Sequence, residues 1–192
     1  MTLATHKWTR TEYQRMIQLG LLRPEDRVEL IKGDVVDVAA HDPLHSNTLY
    51  LVDEVMRRLF GDSHGVRVQL PLGIGRDSEP EPDLCLIPHE QARRIARERK
   101  HPDRADLVIE IASSSLAYDR GPKASLYAEG GVPHYGIVNL VQGVLEVYSE
   151  PSRDQVAPFE WRYATCQTLS RSQSATFLGR DVPVNDLFLP DL

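Results

Sequence analysis

Two acids stand where acids are costly. Asp83 opens the apolar run Leu84-Cys85-Leu86-Ile87, and Glu110 interrupts another, Leu107-Val108-Ile109-Glu110-Ile111. A strand buried on both faces has little room for an unpaired carboxylate, so Glu110 needs a cation or a hydrogen-bond partner. Two carboxylates on adjacent strands can share a hard divalent ion such as Mg²⁺, which prefers oxygen ligands. Such an ion polarises a phosphoryl oxygen and lowers the pKa of a bound water. Taken singly, each acid serves equally well as a salt-bridge partner at a sheet end.

Lys123 sharpens that choice. The spacing predicts a helix from about Pro122 to Glu129, which puts Lys123 in its first turn, where the macrodipole disfavours a cation by ~0.3–1 kcal/mol. Asp119, just before it, carries the charge expected there and reads as the cap. The helix directly follows the Glu110 strand, so its amine could reach the strand's C-terminal end and stabilise charge developing on phosphorus or orient an attacking water. Asp83, Glu110 and Lys123 are therefore expected to converge at the sheet's edge within ~6 Å, the range over which charges perturb each other strongly.

The elements that must position these groups are legible from periodicity. Thr9-x-x-Glu12 forms a capping-box pattern opening a helix from about Arg10 to Leu19, closed by Gly20. Val28–Ile31 and Val35–Val38 flank Lys32-Gly33-Asp34 and read as a hairpin. His45, Leu49, Val52, Met56 and Leu59 recur at helical spacing, predicting an inward face on a helix from about Leu44 to Phe60. Strands are expected at Val66–Leu72, Asp83–Ile87, Leu107–Ile111, Tyr135–Leu140, Val144–Tyr148 and Trp161–Cys166, with Val182–Leu192 as a packing segment. Between the second and third of these lies a basic stretch, Arg93, Arg94, Arg97, Arg99, Lys100 and Arg104, which reads as a solvated helix face or as a phosphate-tracking surface. Strands mixed with helices on both sides give an α/β class with a mixed sheet.

At 192 residues without repeats or long linkers the chain reads as one domain, 1–192. Hydrophobic residues at 41% and charged residues at 26% are ordinary for a globular protein. No apolar run approaches the ~18 residues of a membrane helix, and the start lacks the apolar core of a secretory signal, so a cytoplasmic, membrane-free protein is expected. Cys85 and Cys166 are the two cysteines; Cys85, inside an apolar strand, reads as a buried free thiol. A formal charge of −6 argues mildly against nucleic acid, less so for a site built of carboxylates that bound cations offset. His41 and His45 are four apart, but Pro43 lies between them and no zinc site is read. Ser113-Ser114-Ser115 has no base placed beside it and reads as a strand-to-helix turn.

Pro80-Glu81-Pro82-Asp83-Leu84, Val108 to Ser113 and Tyr118-Asp119-Arg120-Gly121-Pro122-Lys123 together resemble the Uma-two family of restriction endonucleases, assigned to the PD-(D/E)XK nuclease superfamily. The resemblance extends to the first helix, Glu29 to Asp34, His45, Tyr127 to Pro133 and Val182 to Phe188, nearly the whole chain. It implies a restriction-endonuclease-like mixed sheet flanked by helices. It makes Asp83 the first motif acid and Glu110 the second. Ala112 stands where the superfamily's lysine usually lies, and Lys123 matches the family's lysine on the following helix. It also implies a Mg²⁺ or Mn²⁺ ion held by Asp83, Glu110, the Ile111 carbonyl and His45, with DNA as substrate. The alternative for His45 is a core histidine. Glu29 either completes the acidic cluster, braces Lys123 or makes a hairpin salt bridge. One stretch departs from the family: Glu-Tyr-Trp-Ile-Val-Asp appears as His134-Tyr135-Gly136-Ile137-Val138-Asn139, which bears on local packing.

The expectation is a Mg-dependent endodeoxyribonuclease with Asp83, Glu110, Lys123 and Glu29 as catalytic residues. A homodimer would suit duplex cleavage, one site per strand. Two alternatives stand beside it: a catalytically silent nucleic-acid-binding or protein-interaction module of the same fold, and a metal-dependent hydrolase of RNA or nucleotides. Metal binding at Asp83 and Glu110 separates the first; a substrate panel separates the second.

Overall fold

The computed structural model describes residues 5–40 and 42–190. Its centre is a six-stranded sheet in which β5 (Leu107–Ala112) and β6 (His134–Asn139) run parallel and every other neighbouring pair is antiparallel. The spatial order is β3 (His64–Val68), β4 (Leu84–Pro88), β5, β6, β7 (Val144–Arg153), β8 (Trp161–Ser170). Two hairpins stand apart from it: β1 (Val28–Ile31) with β2 (Asp34–Asp37), and β9 (Ser174–Phe177) with β10 (Arg180–Pro183).

Both sheet faces are covered, which is why the central strands read as near-continuous apolar runs. Side chains alternate across a strand, so Leu84, Leu86, Leu107, Ile109 and Ile111 face helix α2 (Pro43–Phe60), along with Phe177, Val182, Val184 and Leu187 of the C-terminal hairpin and the turn after it. Cys85, Ile87, Val108, Tyr135 and Ile137 face the other way, against Ile95 of α3 (His89–Glu98) and Leu126 and Tyr127 of α5 (Ala124–Glu129). Cys85 is a buried free thiol, its pKa pushed up to about 12 by burial. No helix among the described residues is long and apolar enough to cross a membrane.

The expected capping box is present: the Thr9 hydroxyl accepts from the Glu12 N–H, and the Glu12 carboxylate accepts from the Thr9 N–H, opening α1 (Arg10–Gln18). Several boundaries differ from expectation. The strand read at Val66–Leu72 is β3, ending at Val68, where Gln69 turns into left-handed backbone (φ 48°). The strands at Val144 and Trp161 run on to Arg153 and Ser170, paired to each other along their length. The β9 strand was hidden in a Ser-rich sequence. His41 and the last two residues of the expected packing segment lie outside the described residues.

The packing question raised at Gly136 has an answer. A Cβ there would sit 3.7 Å from the Phe177 ring and 3.5 Å from Ile109. Phe177, fully buried on β9, therefore covers the ground beside Gly136, the position where the resemblance leads to the expectation of Trp. Asn139, in place of Asp, donates from its amide to Glu146 at 2.7 Å. Glu146 is itself held by the Arg120 guanidinium and the Tyr148 hydroxyl.

The largest correction concerns the helix carrying Lys123. Instead of starting at Pro122, helical backbone begins at α4 (Leu116–Tyr118), passes through a π turn (Asp119–Lys123) and continues as α5. Pro122 has no N–H to give the preceding turn, and the Ala124 N–H closes the wider ring onto the Asp119 carbonyl. Lys123 is thus inside a helical run and not at its start. Asp119 is not an N-cap either: it has helical backbone, and its carboxylate accepts from Ser115 Oγ at 2.6 Å.

Candidate active site

Asp83 is the residue before β4, and Glu110 lies near the C-terminal end of the neighbouring β5. Because the two strands are antiparallel, the start of one meets the end of the other, and the backbone links them. The Asp83 N–H donates to Glu110 Oε2 at 3.0 Å, and Asp83 Oδ2 accepts from the Ile111 N–H at 2.8 Å. The meeting point is at the ends of two interior strands, not at the sheet's edge. Edge strands β3 and β8 contribute neither acid.

Lys123 reaches this point from the helix. Its Nζ lies 3.3 Å from Glu110 Oε1 and 3.0 Å from Glu29 Oε1. Glu29, on β1, also accepts from the Glu81 N–H at 2.9 Å, so it braces the lysine against the segment leading to Asp83. Tyr127, one turn after Lys123, donates its hydroxyl to Glu110 Oε1 at 2.6 Å. On the opposite side α2 contributes His45, whose Nε2 is 3.0 Å from Asp83 Oδ2. The Asp42 side chain caps that helix by accepting from the His45 N–H, which fixes the first turn from which the ring projects. Gln69 approaches Asp83 Oδ1 with its amide at 3.4 Å. All five sequence-named residues, Asp83, Glu110, Lys123, Glu29 and His45, therefore fall into one bonded cluster.

Tyr127 and Gln69 were missed as members. Tyr127 was findable: four residues after Lys123, it shares that residue's helix face. Gln69 offered no signal, because its role depends on a left-handed turn that ends β3.

The electrostatics follow from burial. Glu29, Asp83, Glu110 and Asp119 are all below a tenth exposed, and Lys123 is the one lysine among them. Burial pushes the Glu110 carboxyl up to about 8; Lys123 opposes this, and Asp83, Asp119 and Glu29 add to it. Burial likewise raises Asp119 to about 6, against the Ser115 hydrogen bond and Lys123. For Lys123, burial would lower the pKa, but Glu110 and Glu29 outweigh it and hold the ammonium above its ordinary value. The cluster is thus rich in acid, and protons or a cation must make up the difference.

Carboxylate oxygens on adjacent strands are the donors a hard divalent ion takes. Among the described residues no group of three or more His, Cys, Asp or Glu side chains is arranged to hold an ion alone. What Asp83 and Glu110 supply are two carboxylates, the number through which Mg²⁺ binds when water and substrate oxygens fill the rest of its shell. The Ile111 N–H, rather than its carbonyl, is what the structure turns to Asp83.

The site adjoins an open cleft of about 1300 Å³ whose lining includes Glu29, Gln69 and Glu81. Asp83 and Glu110 lie behind these residues, 7% and 5% exposed.

The sequence model of a family described as "Uma2: Putative restriction endonuclease" matches residues 10–181. Among solved structures the fold is similar to a protein described as a putative nuclease from Anabaena variabilis, with a TM-score of 0.67 at 15% identity over 89% of this chain and 94% of that one. No curated protein matches the chain.

Proposed function

The chain belongs to the Uma2 restriction-endonuclease family, and from that membership we propose that it is a divalent-metal-dependent nuclease hydrolysing phosphodiester bonds in DNA. One observation carries the reading: a buried ammonium, Lys123, shared between Glu29 and Glu110, whose carboxylate also accepts from the Asp83 N–H. Structural ion pairs rarely need two acids and a lysine at the ends of interior strands, whereas phosphoryl transfer needs negative charge to hold a cation and positive charge for the transition state.

Asp83 and Glu110 would hold Mg²⁺ or Mn²⁺, completed by water and substrate oxygens. Such an ion would polarise the phosphoryl oxygen and make a bound water acidic enough to attack near neutral pH. The rest is done by this chain. The Ile111 N–H and His45 fix the Asp83 carboxylate in one orientation, so we assign His45 to positioning Asp83 beside the ion. Tyr127 and the Asp83 N–H do the same for Glu110. Glu29 holds the Lys123 amine in place, from where it would orient the attacking water or neutralise charge gathering on phosphorus. Replacing the lysine two residues after Glu110 with Ala112, fully buried, leaves that strand position free for packing.

A silent module of the same fold is the second reading, favoured by how far the acids are closed off from the cleft. Incubation of supercoiled plasmid, single-stranded DNA and RNA with Mg²⁺ or Mn²⁺, beside Glu110→Ala, tests the proposal. Metal-dependent DNA cleavage lost in the variant supports it; equal cleavage by both proteins, or none by either, overturns it. RNA cleavage alone would move the substrate to RNA.

A further inference from the structure

We propose that the cleft beside the site is a track for the backbone of duplex DNA, gripped through phosphates by Arg27, Arg76 and Arg99 without reading bases. This deepens the nuclease reading and rests on it for the identity of the polyanion.

The three arginines come from three unconnected parts of the chain: the entry to β1, the loop between β3 and β4, and the residue that ends α3. All three are exposed and line the same cleft. Several of the other charged groups there are paired locally, while Glu81, close enough to Arg27 to feel its charge, and Asp103 add negative charge to the lining. Arg10 pairs with Glu79, Arg23 with Asp26, and Glu29 with Lys123. Among the described residues Arg27, Arg76 and Arg99 form no ion pair. Like charges gathered in one concavity repel one another, and a chain gains nothing by it unless an anion is to fill the space.

The backbone places two of them at a cost. Arg27 (φ 46°) and Arg99 (φ 53°) adopt left-handed conformations, as does Gln69 (φ 48°), which lines the cleft and contacts Asp83. Glycine would adopt these angles more readily; here Arg27 closes the 3-10 turn Pro24–Asp26 and Arg99 closes α3 in this conformation.

The cleft also shows what it does not read. The aromatic ring in its lining, Tyr13, is 4% exposed and spends its hydroxyl on the Val28 carbonyl. Among the described lining residues the His101 imidazole is the one other ring, and single strands bound without sequence preference rely on aromatic platforms for successive bases. Arginines without stacking rings suit backbone phosphates, which set register but carry no sequence information. Glu29 and Gln69 connect this track to the acids behind them. The basic stretch noted in the sequence is thereby divided. Arg93, Arg94 and Arg97 line a separate groove on the exposed side of α3, Arg94 reaching over to Asp103 at 3.9 Å, while Arg99 and Lys100 line the cleft.

The test is fluorescence anisotropy of labelled 20-base-pair duplexes of several sequences, in EDTA so that cleavage cannot interfere. The full chain is compared with Arg27→Gln/Arg76→Gln/Arg99→Gln and with Arg93→Gln/Arg94→Gln/Arg97→Gln, matched in charge. Thermal melting confirms that each is folded. The cleft variant should bind at least roughly tenfold more weakly, and its slope of log affinity against log salt should flatten by up to ~0.9 for each lost contact. The α3 variant should stay near wild type, and affinity should vary little with sequence. Equal loss in both variants, loss in the α3 variant alone, strong preference for one sequence or for single strands, or no binding by wild type would each overturn the proposal. Mn²⁺-dependent cleavage keeps the two readings apart. Cleavage by wild type and cleft variant at equal rates sinks the track and spares the nuclease; cleft-dependent binding without any cleavage does the reverse.

Discussion

Asp83 and Glu110 are clamped reciprocally: the Asp83 N–H donates to Glu110 Oε2 at 3.0 Å, and Asp83 Oδ2 accepts from the N–H of the residue following Glu110 at 2.8 Å. The Glu110 carboxylate is oriented by the Asp83 backbone and the Asp83 carboxylate by that of Ile111, so neither can turn without losing a hydrogen bond where β4 and β5 meet. Such preorganisation is what a metal site requires of its ligands, and it makes the site's response to charge measurable.

Thermal melting after chelator treatment is the direct test of metal binding. Wild type should rise in Tm with Mn²⁺, since an ion bound only to the folded state adds ~2.7 kcal/mol at a hundredfold excess over its Kd. Above pH about 8, where the wild-type carboxyl is charged, Glu110→Gln should match or exceed wild-type stability without metal, and it should gain little from Mn²⁺. No shift in wild type at millimolar metal would leave the silent module as the better reading.

The pH dependence has a definite sign. Burial pushes the Glu110 carboxyl up to about 8 in the folded chain, against an ordinary carboxyl value of 4.5, so the folded state holds its proton more tightly than the unfolded state. Its contribution is therefore fully present below about 4.5 and is lost as pH rises through about 8. Asp119, raised to about 6, acts in the same direction. Urea midpoints of metal-free protein should fall between these values, and Glu110→Gln should flatten the decline without abolishing it. A wild-type midpoint that climbs over this range would contradict the assignment.

Removing the ammonium is expected to be expensive. Lys123→Met strands Glu29 and Glu110 without their partner, and breaking a buried pair from one side costs about 3–5 kcal/mol. Adding Glu110→Gln should recover part of the loss, giving a coupling energy in a double-mutant cycle. Additive losses would show that the 3.3 Å contact carries no energy. Where Lys123→Met stays folded, hydrolysis should disappear while Mn²⁺ still raises its Tm.

Gly136 offers a test unconnected to catalysis. Its added Cβ would make ordinary contacts of 3.5–3.8 Å with Ile109, Phe177 and Leu145, so Gly136→Ala should be neutral or stabilise by roughly 0.4–1 kcal/mol. Gly136→Trp must displace Phe177 and should cost about 1–3 kcal/mol or more. Guanidinium unfolding measures both, and a stable Trp variant would show that Phe177 does not fill that ground.

The acids were legible because burial makes a carboxylate conspicuous: Asp83 and Glu110 break apolar runs, and no surface explanation suits Glu110. The mixed sheet was legible for the same reason, its central strands being apolar on both faces. The Lys123 environment was less so. Gly121-Pro122 has the local signature of a helix start, yet the helical run begins at Leu116 and carries the proline through a π turn. The contacts to Glu29 and Tyr127 depend on tertiary docking that no local pattern encodes. Gln69 and the arginine-lined cleft escaped for a similar reason, since left-handed backbone at Arg27, Gln69 and Arg99 goes against residue preference.

The π turn makes chain length between Ser115 and Tyr127 a fixed quantity. With 3.6 residues to a regular helical turn, each residue advances about 100° around the axis. Deleting one residue from Asp119–Lys123 would let the segment relax to α-helix and swing one side against the other by about that angle. Leu126, Tyr127 and Ala128 are locked in the core, so Asp119 and its Ser115 partner would be carried off the cluster. Insertions should be tolerated elsewhere, as at Gln155 and Val156 in the exposed loop between β7 and β8. Among descendants of this sequence, length variation should gather in that loop and be purged from the turn, whatever residues occupy it.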